Sequence, residues 1–131
     1  MPSIRVVVQG VLGKMGQEVL ATVCKTDGMH AVGASDKSAL TDSLSLADGS
    51  GTVPLSTCLA DVIENADVVV DFSDAEGALT AIRTAPFRKV SVVIGSTGNP
   101  DSTVEEAKAV ANENQVGILI APNFALGAVL M

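Results

Sequence analysis

Seven residues, GVLGKMG, place glycines at three-residue intervals, Gly10, Gly13 and Gly16, directly after the apolar stretch 4–8 and directly before a helical pattern. Glycine at such a junction permits a sharp turn, lets backbone N–H groups come close to an anion, and lets the following helix pack tightly on a sheet. The N-terminus of that helix would attract a pyrophosphate. The spacing is GxxGxxG, whereas the common dinucleotide fingerprint is GxGxxG, so the loop alone reads equally well as a strand-to-helix turn with no ligand. Twenty residues beyond Gly16 stands Asp36, at the end of a second strand-like run. A carboxylate there accepts hydrogen bonds from adenosine ribose hydroxyls. Lys37 beside it attracts the 2′-phosphate that Asp36 repels, and the pair does not choose between NAD and NADP. Lys14 adds positive charge in the loop itself, although either lysine taken singly reads as solvated surface charge just as well.

Three later segments also follow strand-like runs, at the sheet edge where ligands of parallel sheets gather. The first is Asp71, Phe72, Ser73 and Asp74, and the second Gly95, Ser96, Thr97 and Gly98. The third is Ala121, Pro122, Asn123 and Phe124, whose amide both donates and accepts. Each alone reads as a plain turn.

The elements that must position these loops alternate. Continuous β-branched runs mark strands at 4–9, 31–35, 68–72, 90–94 and 116–121, and helical patterns lie at 15–26, 57–65, 75–84 and 103–114. This βα alternation predicts an α/β fold with a doubly wound parallel sheet covered on both faces. Ser73 with Glu76 and Ser102 with Glu105 have the spacing of capping boxes, and Pro86 closes the third helix. The polar stretch 37–52 reads as a long solvated loop.

At 131 residues and 47% hydrophobic content the chain suits one domain. A net charge of -7 argues against an electrostatic grip on nucleic acid or anionic lipid, and no apolar run reaches membrane-spanning length. The expectation is a soluble protein without a targeting segment. Cys24 and Cys58 lack metal-like spacing and read as buried small hydrophobes, while His30 reads as a solvated turn residue with no second histidine for a metal pair. The apolar pattern 126–131 carries no helix stop signal, which predicts a piece of a longer protein.

Taken in order, GVLGKMG, DFS at 71–73, GSTG at 95–98 and APNFALG at 121–127 resemble the dihydrodipicolinate (4-hydroxy-tetrahydrodipicolinate) reductase family, whose pattern runs G-A-x-G-[RK]-M-G, D-F-T, G-T-T-G and A-x-N-F-[SA]-[IVL]-G. The resemblance covers the whole chain, and four ordered matches are far more specific than any one. It implies a Rossmann-type dinucleotide-binding domain over 1–125, with 126–131 starting an interdomain helix toward an absent substrate and tetramerisation domain. It also implies NAD(P)H-dependent reduction of 4-hydroxy-tetrahydrodipicolinate, a small dicarboxylate of the diaminopimelate route to lysine, by a cytoplasmic homotetramer. Carried over by position, Gly10, Val11, Leu12, Gly13, Lys14 and Met15 would meet the pyrophosphate, and Asp36 with Lys37 the adenosine ribose. Phe72 and Ser73 would touch the cofactor. Gly95, Ser96 and Thr97 would flank the nicotinamide, with Thr97 reaching a substrate carboxylate, and Ala121, Pro122, Asn123 and Phe124 would complete that pocket. The family's catalytic His-His pair and lysine lie in the second domain, so this chain alone is expected to bind cofactor and not to catalyse. Val11 and Leu12 are bulkier than the family's usual residues, Ser96 stands for a threonine, and Ala75 for a frequent proline. Alternatives are another amino-acid dehydrogenase, a complete non-catalytic NAD(P)-binding sensor, and a Rossmann domain that binds nothing.

Overall fold

A computed structural model describes residues 3–46, 48–96 and 99–120. Its strands are β1 (Ile4–Gln9), β2 (Met29–Ser35), β3 (Ser43–Ser45), β4 (Thr52–Ser56), β5 (Val68–Asp71), β6 (Ser91–Ile94) and β7 (Ile118–Ile120). They form one sheet in the order β3-β4-β2-β1-β5-β6-β7. Every pairing is parallel except β3 with β4. The helices are α1 (Lys14–Lys25), α2 (Ala75–Thr84) and α3 (Asp101–Asn114).

The central strand shows why the fold is doubly wound. Val6 and Val8 point into a core with Val11, Leu20 and Val23 of the α1 side, whereas Val7 points into an opposite core with Val69, Ala78 and Ala81 of the α2 side. All three valines are essentially fully buried. A strand covered on both faces needs apolar side chains at every position, which is what the unbroken run supplies.

Several expectations about elements are corrected. The helix expected at 57–65 is a single 3-10 turn, Leu59–Asp61. The Ser56 hydroxyl accepts from the Cys58 N–H and donates to the Asp61 carboxylate, and such local bonds compete with helix formation. The β-branched Val62 and Ile63 that follow are weak helix formers and instead plug the α2-side core. The expected loop 37–52 contains β3 and the start of β4, a hairpin whose Val53 and Leu55 alternate inward with exposed neighbours. β2 begins at Met29, which places His30 in a strand with its side chain exposed.

Neither capping box forms. Asp74 caps α2 by accepting from the Gly77 N–H at 2.8 Å, while the Ser73 hydroxyl donates to Asp71 instead. α3 starts two residues earlier than an N-cap at Ser102 would require, behind Pro100 with no side-chain cap. Pro86 opens a short 3-10 turn directly after α2. The cysteines also depart from expectation, since Cys24 is only half-buried and Cys58 is exposed.

Candidate functional site

β1 lies between β2 and β5, so the chain leaves it in opposite directions and a crevice opens at its C-terminal end. A cleft of about 460 Å³ occupies that crevice, within the size range of small-molecule sites. Its walls come from the ends of β1, β2, β4 and β5 and from the first turns of α2. Of the residues singled out in the sequence as possible ligand contacts, Gly10, Gly13, Asp36, Lys37, Phe72, Ser73 and Asp74 line it together.

The three glycines have three different reasons. Gly10 has φ +79, and a Cβ there would lie 2.8 Å from the Ser73 backbone N, so it lets the turn rest on the loop after β5. A Cβ on Gly16 would fall 2.1 Å from the Gly10 carbonyl oxygen, so this glycine brings α1 against the turn. Gly13 is different: with φ -77 and only an ordinary 3.5 Å contact for an added Cβ, no packing against the described residues requires it to be glycine. It is exposed on the cleft wall, where a missing side chain leaves room for a ligand against the backbone.

Most amides of the turn are already engaged. Gly10 and Val11 both donate to the Ser35 carbonyl, Leu12 donates to Asp36 Oδ2 at 2.9 Å, and Gly13 to the Gly10 carbonyl. The N–H groups of Lys14, Met15 and Gly16 form the first turn of α1, where a helix has no internal acceptor for them. These amides and the positive helix end are what an anion would meet. The Val11 side chain turns away into the core, while Leu12, Lys14 and Met15 are exposed.

Asp36 is fixed at both oxygens, Oδ1 accepting from the Ser38 N–H at 2.9 Å and Oδ2 from Leu12. It ties the glycine turn to the end of β2 and retains lone pairs facing the cleft. Opposite it, a buried polar group joins β1 to β5. Gln9 Nε2 donates to Asp71 Oδ1 at 2.9 Å and to the Gly77 carbonyl at 2.7 Å. Asp71 Oδ2 is buried with no hydrogen-bond partner. Burial pushes the Asp71 carboxyl above the usual carboxylate range, against the opposing hydrogen bonds of Ser73 and Gln9.

The Phe72 ring packs against Gly95, where a Cβ would come within 2.3 Å of it, and so joins the loop after β5 to the loop after β6. The Ser96 hydroxyl on that second loop is buried and unpartnered, a group with hydrogen-bonding capacity to offer. Thr97, Ala121, Pro122, Asn123 and Phe124 lie outside the described residues. Sequence reasoning gave no role to Gln9, Ser35, Thr57 and Thr80, which also line the cleft, and it read Glu76 only as part of a cap. Gln9 carried a signal, being a polar residue that ends a run of valines at a strand C-terminus.

The family model described as dihydrodipicolinate reductase, N-terminus, matches residues 4–124. The 4-hydroxy-tetrahydrodipicolinate reductase of Dehalococcoides mccartyi strain BAV1 is 45% identical over 133 residues, covering 100% of this chain and 51% of that protein. The dipicolinate-bound dihydrodipicolinate reductase structure from Paenisporosarcina sp. TG-14 superposes with a TM-score of 0.78 at 32% identity, over 98% of this chain and 50% of that one. A homoserine dehydrogenase from S. aureus, at 18% identity and a TM-score of 0.65 over 93% of this chain and 34% of that one, shares the fold alone. The chain thus spans about half the length of the curated relatives it matches.

Proposed function

Since this chain belongs to the dihydrodipicolinate reductase family through its N-terminal domain, we propose that it is the dinucleotide-holding half of an NAD(P)H-dependent reductase of 4-hydroxy-tetrahydrodipicolinate. In this reading residues 1–125 belong to the cofactor domain, and the substrate and tetramerisation domain belongs to the rest of the longer reductase. The observation that carries this reading is the wall of the cleft at Gly13, which has no packing reason to be glycine and stands beside the open amides of Lys14, Met15 and Gly16.

In this reading the first turn of α1 binds the pyrophosphate and Asp36 accepts from the adenosine ribose. Phe72, held on Gly95, forms a flat apolar wall toward the nicotinamide end, and the orphaned Ser96 hydroxyl bonds the carboxamide. Thr97 reaches a substrate carboxylate, and Ala121 to Phe124 close the nicotinamide pocket. The bound cofactor supplies the hydride. The proton is delivered from the second domain, in a cytoplasmic assembly of four subunits.

Isothermal titration of the 131-residue chain with NADH tests the proposal. Saturable one-to-one binding is expected, with no oxidation of NADH when the cyclic dicarboxylate is added. A flat titration at concentrations that saturate a full-length relative would falsify the reading.

A further inference from the structure

Among the described residues a single ammonium, Lys37, lines the cleft, together with the carboxylates of Asp36, Asp74 and Glu76. Lys37 follows β2 and Asp74 precedes α2, so the two reach across the crevice from opposite walls. They meet with Lys37 Nζ 2.9 Å from Asp74 Oδ2. Asp74 is not free to swing away, because its other oxygen caps α2 through the Gly77 N–H at 2.8 Å. Its charge is held over the cleft by the helix it starts. Asp36 is also fixed, with one N–H on each oxygen.

We propose that Asp74 sets the nucleotide preference of this cleft: by holding Lys37 it withholds the cation that a 2′-phosphate needs, and the site takes NADH over NADPH. The proposal rests on the reading of the cleft as the adenosine end of a dinucleotide site. An unphosphorylated ribose needs only acceptors, and Asp36 supplies them without disturbing the ion pair. A 2′-phosphate brings nearly two negative charges. It has to draw Lys37 away from Asp74, which leaves the Asp74 and Glu76 charges uncompensated beside it. Both members of the pair are exposed, at 82% and 51%, so the pair is weak enough for substitution to release the lysine. Asp74 also raises the Lys37 pKa, first by the hydrogen bond and then by its charge, so the pair holds the lysine in its charged form.

The test is titration of the chain and of Asp74→Asn with NADH and with NADPH at low salt. Asparagine keeps the cap on α2, because its side-chain oxygen accepts from Gly77 as well as aspartate does, and it removes only the charge. The native chain should bind NADH more tightly than NADPH. In Asp74→Asn the affinity ratio should move toward NADPH by about fivefold, the equilibrium equivalent of one exposed ion pair. The shift should vanish when Lys37→Ala is added and shrink at high salt. A native preference for NADPH, an unmoved ratio in Asp74→Asn, or a shift that survives Lys37→Ala would overturn the assignment and leave the cofactor site standing. Failure of the native chain to bind either dinucleotide would overturn both.

Discussion

At the scale of single residues, the glycine turn separates structural need from ligand need within one motif. Gly16 is required by packing, since the Cβ of Gly16→Ala would run into the Gly10 carbonyl, a backbone atom that cannot step aside without moving the turn. Gly13→Ala meets only an ordinary contact, and its φ of -77 suits any residue. The two variants should therefore fail differently. Gly16→Ala is expected to lose about 1–3 kcal/mol of stability, the usual cost of overpacking. Gly13→Ala should unfold in denaturant within about 1 kcal/mol of the native chain, the modest cost of a poorer helix cap, yet bind NADH about tenfold more weakly. Denaturant melts read the first quantity and calorimetric titration the second. Equal loss of stability in both would show that Gly13 is a folding residue and that the cleft wall says nothing about a ligand. The sequence could not distinguish these glycines, because the difference lies in which backbone atom each one faces across the turn.

At the scale of elements, legibility followed burial. The central strands were readable because both faces are covered and every residue from Val6 to Val8 is apolar. The hairpin at the sheet edge was not, since β3 offers only Leu44 between two serines and Pro54 interrupts β4. Proline in a strand signals an edge or a break, and here β4 pairs with β2 through only two residue pairs. Its period-two burial at Val53 and Leu55 was present but lay within a polar, glycine-rich stretch. The caps were misread because Ser73 and Asp74 compete for one role, and the buried carboxyl of Asp71 claims the serine. The hairpin nevertheless matters to the cleft, because β4 ends where Ser56 accepts the Asp36 N–H and where Thr57 forms part of the wall. Leu55→Ala empties a core position that is 5% exposed, at an expected cost of about 2–5 kcal/mol. It should also weaken NADH binding, since Asp36 loses its support. A melt shifted by less than about 1 kcal/mol would mean that the edge hairpin is not anchored as the burial pattern implies.

At the scale of the whole molecule, the acidic charge balance gives stability two opposing responses to pH. Asp67 and Glu106, paired with Arg5 and Arg83, hold carboxyls below the usual range, each chiefly through the hydrogen bond from its arginine. Lowered values stabilise the fold above the ordinary carboxylate range and lose that contribution as pH falls through the folded values. These pairs are exposed, so each contributes little. Asp71 acts in the opposite sense. Its carboxyl is raised by burial, so it is most compatible with the fold when protonated, and its contribution is lost as pH rises through the folded value. Being the buried member, it sets the difference between the native chain and Asp71→Asn, which cannot ionise and whose oxygen still accepts from Gln9 and Ser73. The stability of Asp71→Asn relative to the native chain should therefore climb as pH increases from about 4 through the following units, then level off once native Asp71 is ionised. Thermal melts followed by far-ultraviolet circular dichroism read this directly, and the absence of tryptophan and tyrosine makes the backbone signal the practical one. A difference that stays flat across that range would show that the carboxyl is charged at no cost, with water or a cation reaching Oδ2. Gln9, which donates to the other oxygen of this carboxyl, lines the cleft, so a flat profile would also point to a solvent path beneath the floor of the site.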